Sequence, residues 1–85
     1  MKTQFYEGCG EIEHDELTVM QGDKSKFEQI VFLKVGDAIV HKFAYTKALY
    51  TPRVNQIRLV NETNGQERQV VTDDPEVIAL FNTAD

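Results

Sequence analysis

The sequence predicts an α+β fold: a small antiparallel sheet of four to five strands built from two hairpins, with one short C-terminal helix packed on a face. Three observations predict it. β-Rich runs flank Gly36-Asp37, a second pair of runs flanks Asn64-Gly65, and Asp-Asp-Pro-Glu at 73–76 opens a short apolar stripe. Gly, Asn and Asp tolerate the positive φ that two-residue hairpin turns demand. A small all-β barrel capped by the helix is the alternative architecture. At 85 residues, 41% hydrophobic and 27% charged, the chain makes one globular domain, residues 1–85. So small a core leaves stability marginal, and small domains often gain more by oligomerising.

Residues 1–15 resist assignment, although Gly8-Cys9-Gly10 reads as a turn. Residues 16–20 make a first strand with Leu17 and Val19 on one face. The strongest signal is 27–45. With Gly36-Asp37 as the turn, Val35 pairs with Ala38, Leu33 with Val40, Phe32 with His41 and Ile30 with Phe43. One face then shows Ile30, Phe32, Ile39, His41, Phe43 and Tyr45. The other shows Phe27, Val31, Leu33, Val35, Val40 and Ala44. Both faces are apolar, so this hairpin calls for cover on both sides.

Residues 47–52 read as a connection, extended at its end because the residue before Pro52 avoids the α region. Residues 54–72 form the second hairpin. A two-residue loop at Asn64-Gly65 sets Leu59 opposite Val70 and Glu62 opposite Glu67; facing carboxylates disfavour that register, and a longer loop with a bulge at Gly65 avoids it. In the helix, Asp73 or Asp74 caps the first amides, Pro75 takes the first helical position and Glu76 suits the positive end. Val77, Ile78, Leu80 and Phe81 supply the stripe that lies on the sheet.

Charge falls in three blocks. Residues 1–23 set Glu7, Glu11, Glu13, Asp15, Glu16 and Asp23 against Lys2. Residues 24–58 set Lys24, Lys26, Lys34, Lys42, Lys47, Arg53 and Arg58 against Glu28 and Asp37. Residues 59–85 set Glu62, Glu67, Asp73, Asp74, Glu76 and Asp85 against Arg68. The net charge of −5 therefore hides a basic centre between two acidic flanks. Such a layout either steers partners of opposite charge or neutralises itself when the flanks fold against the centre.

Motifs that carry chemistry are scarce. Cys9 is the only cysteine, so no disulfide forms within the chain, and its acidic neighbours disfavour a thiolate. Cys9 and His14 stand alone among Glu11, Glu13, Asp15 and Glu16, without the second ligand pair zinc needs. That segment reads as a solvated acidic stretch. His41 on an apolar strand face reads as a packed residue, and Ser25, the only serine, has no spacing that nominates it as a partner. The five glycines form no phosphate-binding loop. Asn61-Glu62-Thr63 matches the glycosylation pattern, with no secretion signal to give it meaning. No apolar run approaches the ~18 residues of a membrane span.

These features lead to an expected function: a non-catalytic protein-interaction module without metal or cofactor, acting in the cytoplasm as a small regulator or inhibitor on a partner's surface. The expected contact is the acidic segment Glu7, Glu11, Glu13, Asp15 and Glu16. A homodimer is expected, because one short helix does not cover both faces of the central hairpin. The alternative is nucleic-acid binding through the basic, aromatic-interleaved segment 42–58, with Lys42, Lys47, Tyr50, Arg53 and Arg58 neutralising phosphates and stacking bases. Against it stands a pI near 4.9.

Overall fold

Gly36-Asp37 turns the chain between antiparallel strands, and the hairpin around it belongs to one of two sheets. The computed structural model describes residues 3–81; Lys2 and Asp85 of the charge blocks lie outside them. In chain order the strands are β1 (Gln4–Glu7), β2 (Gly10–Glu11), β3 (Glu16–Gln21), β4 (Gln29–Val35), β5 (Ala38–Tyr45), β6 (Lys47–Thr51), β7 (Gln56–Val60) and β8 (Glu67–Val71), then helix α1 (Pro75–Phe81). β3, β4 and β5 form a three-stranded sheet; the others form a five-stranded sheet ordered β2-β1-β8-β7-β6. Every pairing is antiparallel. The α+β class, the hairpins and the C-terminal helix hold, while the single sheet of four to five strands is corrected to two sheets.

Two segments make that difference. Residues 47–51, expected as connection, form β6, because Ala48 and Tyr50 turn inward beside Leu59 and Ile57. Residues 4–11 fold into a hairpin about Gly8 and Cys9, with Gly8 at a φ of 62° that a side chain would strain.

Thr46 alone carries the chain from β5 in one sheet to β6 in the other, and a polar corner fixes the crossing. The Thr46 amide donates to the Val60 carbonyl at 2.8 Å, and its hydroxyl accepts the Glu62 amide at 3.0 Å. Asn61, 3% exposed, donates from Nδ2 to the Ala44 carbonyl at 2.9 Å and accepts the Thr63 amide at 2.9 Å. A buried amide needs such partners, since leaving one unpaired costs about 1–3 kcal/mol. The residue that matches a glycosylation pattern is therefore a structural tie between the sheets.

The core lies between the inner faces. Phe5, Ile57, Leu59 and Val70 come from the five-stranded sheet, Val31, Leu33, Phe43 and Tyr45 from the three-stranded one, and Phe81 from α1. The register of the central hairpin differs from expectation. Val35 faces Ala38 and Lys34 faces Ile39, but Leu33 faces His41, which leaves Val40 as a bulge. One extra residue flips every later side chain of β5. Val31 and Leu33 therefore share the inner face with His41, Phe43 and Tyr45, while Ile30, Phe32, Lys42 and Ala44 face outward. The five-stranded sheet covers the inner face. On the outer face Met20 remains 60% exposed. Phe27, expected on a hairpin face, precedes β4 and is 85% exposed.

The second hairpin takes the longer loop. Val60 pairs with Glu67 and Leu59 with Arg68, so Glu62 and Glu67 do not face each other. Gly65 adopts a φ of 76° and donates to the Asn61 carbonyl at 2.8 Å. Of the two candidate caps, Asp74 is used: its carboxylate accepts the Glu76 amide at 2.9 Å. α1 touches β3 on one side. On the other, Ile78 and Phe81 line a small cleft with Ala48, Tyr50 and Ile57. It thereby crosses the mouth of the sandwich, with the Phe81 and Tyr45 rings 5.9 Å apart.

Candidate functional site

The five acidic residues of the N-terminal segment occupy one border of the molecule. β2 is an edge of the five-stranded sheet and β3 an edge of the three-stranded sheet, and residues 12–15 pass from one to the other. Glu7 ends β1, Glu11 lies in β2, Glu13 and Asp15 lie in the connection, and Glu16 opens β3. All five are exposed. The connection is held in place by backbone bonds from Ile12 to the Phe5 carbonyl and from Asp15 to the Lys34 carbonyl, both 2.8 Å. Within it the His14 Nδ1 meets the Ile12 carbonyl at 3.0 Å.

Glu7 meets the Arg68 guanidinium at 3.2 Å. Glu11, Asp15 and Glu16 form no ion pair with another described residue. Their charge is left to the solvent, which suits long-range attraction of a basic surface. No three of the described His, Cys, Asp and Glu residues converge as ligands for a metal ion.

The basic residues 42–58 are spread over several surfaces. Lys42 lies on the outer face of the three-stranded sheet. Lys47 and Arg58 lie on the outer face of the five-stranded sheet, where Arg58 lines a groove of about 290 Å³ with Leu49, Thr51, Gln56 and Gln69. Tyr50 turns toward the cleft beside α1, and Arg53 lies in the 3-10 turn Pro52–Val54. Two of these cations meet acids of the third block: Arg58 holds Glu67 at 3.1 Å and Lys47 approaches Glu62 at 3.9 Å. The charge blocks thus neutralise each other in part.

A second polar cluster lies between the sheets. Arg68 points inward in phase with Val70; its side chain is 13% exposed, and its guanidinium carbon sits 4.5 Å from the Phe43 ring centroid. His41 meets the Phe5 ring at 5.6 Å, edge to face. Burial pulls the His41 pKa below its usual value; the Glu7 carboxylate opposes that shift and the Arg68 charge adds to it. His41 Nε2 and Arg68 Nε are both buried without a hydrogen-bond partner. The packed reading of His41 fits this position, although its neighbours are Leu33 and Phe5 and not Phe32. Sequence reading missed Arg68. Its signal was there: it is the one base of the acidic third block, two residues from Val70 on the same strand face. Cys9 is exposed on the β1–β2 turn.

Comparison with protein-family models, with curated protein sequences and with solved structures finds no match.

Proposed function

We propose that the chain is a non-catalytic interaction module that binds another protein through its acidic border. It acts as a small regulator or inhibitor by occupying a basic surface of that partner. One observation carries this reading: five exposed carboxylates are drawn to a single border, and Glu11, Asp15 and Glu16 have no ion-pair partner among the described residues. Fixed charge at a rim speeds association and selects the partner, while apolar contacts nearby hold it. Met20, 60% exposed toward the far end of β3, offers such a contact. The non-catalytic part draws support from the candidate groups themselves. The free nitrogen of His41 is sealed from solvent, and Cys9 stands on a turn between glycines.

The test compares captures from a lysate of the source organism by three immobilised proteins. One is wild type, one has Glu7, Glu11, Glu13 and Glu16 changed to Gln and Asp15 to Asn, and one has Lys42, Lys47 and Arg53 changed to Glu. The border reading expects the neutralised protein to lose what wild type captures, the difference shrinking as salt is raised, and the reversed protein to retain it. If the neutralised protein keeps its captures while the reversed protein loses them together with bound nucleic acid, the basic segment is the functional surface instead.

A further inference from the structure

A strand at a sheet edge leaves a row of N–H and C=O groups without a partner strand, and proteins blunt such edges with short strands, bulges, lysine or proline. Four strands are edges here. β2 is two residues long. β5 carries the Val40 bulge and Lys42. β6 carries Lys47 and runs into Pro52. β3 has none of these defences beyond Glu16 at its first position: its six residues, Glu-Leu-Thr-Val-Met-Gln, keep an unbroken register with β4. α1 packs against β3, but among the described residues no backbone hydrogen bond joins the helix to the strand, so the helix does not take up the β3 edge.

The two ends of β3 differ in charge. Asp15 and Glu16 stand at its start, and Lys24 and Lys26 lie in the 3-10 turn beyond its end, all four exposed. Two acids share that turn, but Asp23 is engaged by the Ser25 amide and hydroxyl at 2.9 and 2.7 Å, and Glu28 is half-buried. The same turn presents Phe27 to solvent, 85% exposed and at a φ of 54°. A residue with a Cβ adopts that conformation only at a cost. The turn is nonetheless well tied, with Phe27 bonded to the Lys24 carbonyl at 3.1 Å, Glu28 to Asp23 at 3.1 Å and Gly22 to Glu28 at 2.9 Å. The turn thus holds an aromatic ring in solvent at a strained φ without burying it, and strain of this kind gathers at contact sites.

A strand with opposite charges at its ends is complementary to itself when run antiparallel. We propose that β3 pairs with β3 of a second copy about a two-fold axis, joining two three-stranded sheets into one continuous sheet of six strands. This rests on the acidic border as a binding surface and names the Lys24–Lys26 turn of a second copy as the basic surface it meets. The pairing satisfies both open edges, sets Asp15 and Glu16 of each copy against Lys24 and Lys26 of the other, and draws both Phe27 rings out of water. The two-fold closes the contact, so assembly stops at the dimer.

Sedimentation equilibrium on the full chain tests this. Wild type dimerises with half-association at roughly tens of micromolar, and less tightly as salt is raised. A variant with Lys24→Glu and Lys26→Glu, and another with Asp15→Lys and Glu16→Lys, each remain monomeric over the same range, their circular dichroism unchanged. An equimolar mixture of the two restores the dimer as a heterodimer. A monomeric wild type, a charge-reversed variant that dimerises like wild type, or a mixture without recovery each overturn the pairing. The two proposals fail separately. Loss of lysate captures on neutralising the border, in a wild type that is monomeric, removes only the second copy as partner. Retention of those captures removes the border reading itself.

Discussion

β3 and β5 are the two edges of one sheet, and they solve the edge problem differently. β5 is the longer strand, sends the buried rings of Phe43 and Tyr45 into the core, and breaks its outer row with a bulge and a lysine. β3 sends only the half-buried Leu17 and Val19 inward, keeps a regular backbone, and has opposite charges at its two ends. β5 is thus built to hold the monomer together and to refuse another strand. β3 contributes less to the monomer and is shaped to accept one. Edge strands of a small domain need not serve the same purpose, and the defence each one carries tells which purpose it serves.

The largest expected difference is in stability. Phe43→Ala costs about 3–5 kcal/mol, since it opens a cavity and also removes the ring beneath Arg68. Leu17→Ala costs about 1–2 kcal/mol, because less surface is buried there. Urea denaturation measures both, and equal costs would remove the distinction between the strands. Deleting Val40 sharpens the comparison from the other side. Lys34 already faces Ile39 and Leu33 faces His41, so the deletion heals the ladder without turning Phe43 or Tyr45 outward. The expected result is a folded protein with two open edges, which sediments as species larger than a dimer. A shortened chain no more associated than wild type would show that the bulge has no defensive role.

Phe27→Gly is expected to raise monomer stability by about 0.5–1 kcal/mol, by relieving the positive φ without losing buried surface. The same change weakens dimerisation about tenfold, the loss of one well-placed aromatic contact. Thermal melts at micromolar concentration, where the monomer prevails, read the first effect and sedimentation the second; a lowered melting temperature contradicts the strain.

The smallest effect is in pH. His41, on the inner side of β5, has a folded pKa held below its usual 6.5 by burial. The unfolded chain therefore binds the proton first. Its contribution to stability is present above pH 6.5 and is lost as pH falls toward the folded pKa. The charged groups facing it are the Glu7 carboxylate, which opposes the shift, and the Arg68 guanidinium, which adds to it. His41→Leu flattens the slope of stability against pH just below 6.5, and an unchanged slope assigns it to another group.

What could be read from the sequence was local. The turn at Gly36-Asp37, the strand at Leu17 and Val19, the Asp-Pro start of α1 and the loop at Gly65 are each set by residues within a few positions of one another. What escaped was decided at long range. Val40 bulges because Phe43 and Tyr45 join Val31 and Leu33 under a second sheet; the apolar faces of 27–45 call for cover but do not say which face a sheet takes. β6 looks like a connection because its inward pair, Ala48 and Tyr50, is weakly apolar until Leu59 and Ile57 flank it. Thr46 and Asn61 share one polar corner only because β6 pairs with β7 where the chain has just changed sheets, which brings Thr46 to Val60 and Glu62 and Asn61 to Ala44. The acidic residues of the border were legible as a charge block. Their gathering on one side depended on β2 and β3 joining different sheets, a pairing no short window contains.

Amide hydrogen exchange, resolved by residue at about 5 µM and about 500 µM protein, tests the central claim most directly, because this range brackets the expected dimer midpoint. The account predicts that the outward amides of β3 slow at the higher concentration, while the outward amides of β5 exchange at the same rate at both. Slowing along β5, or β3 amides indifferent to concentration, would contradict it.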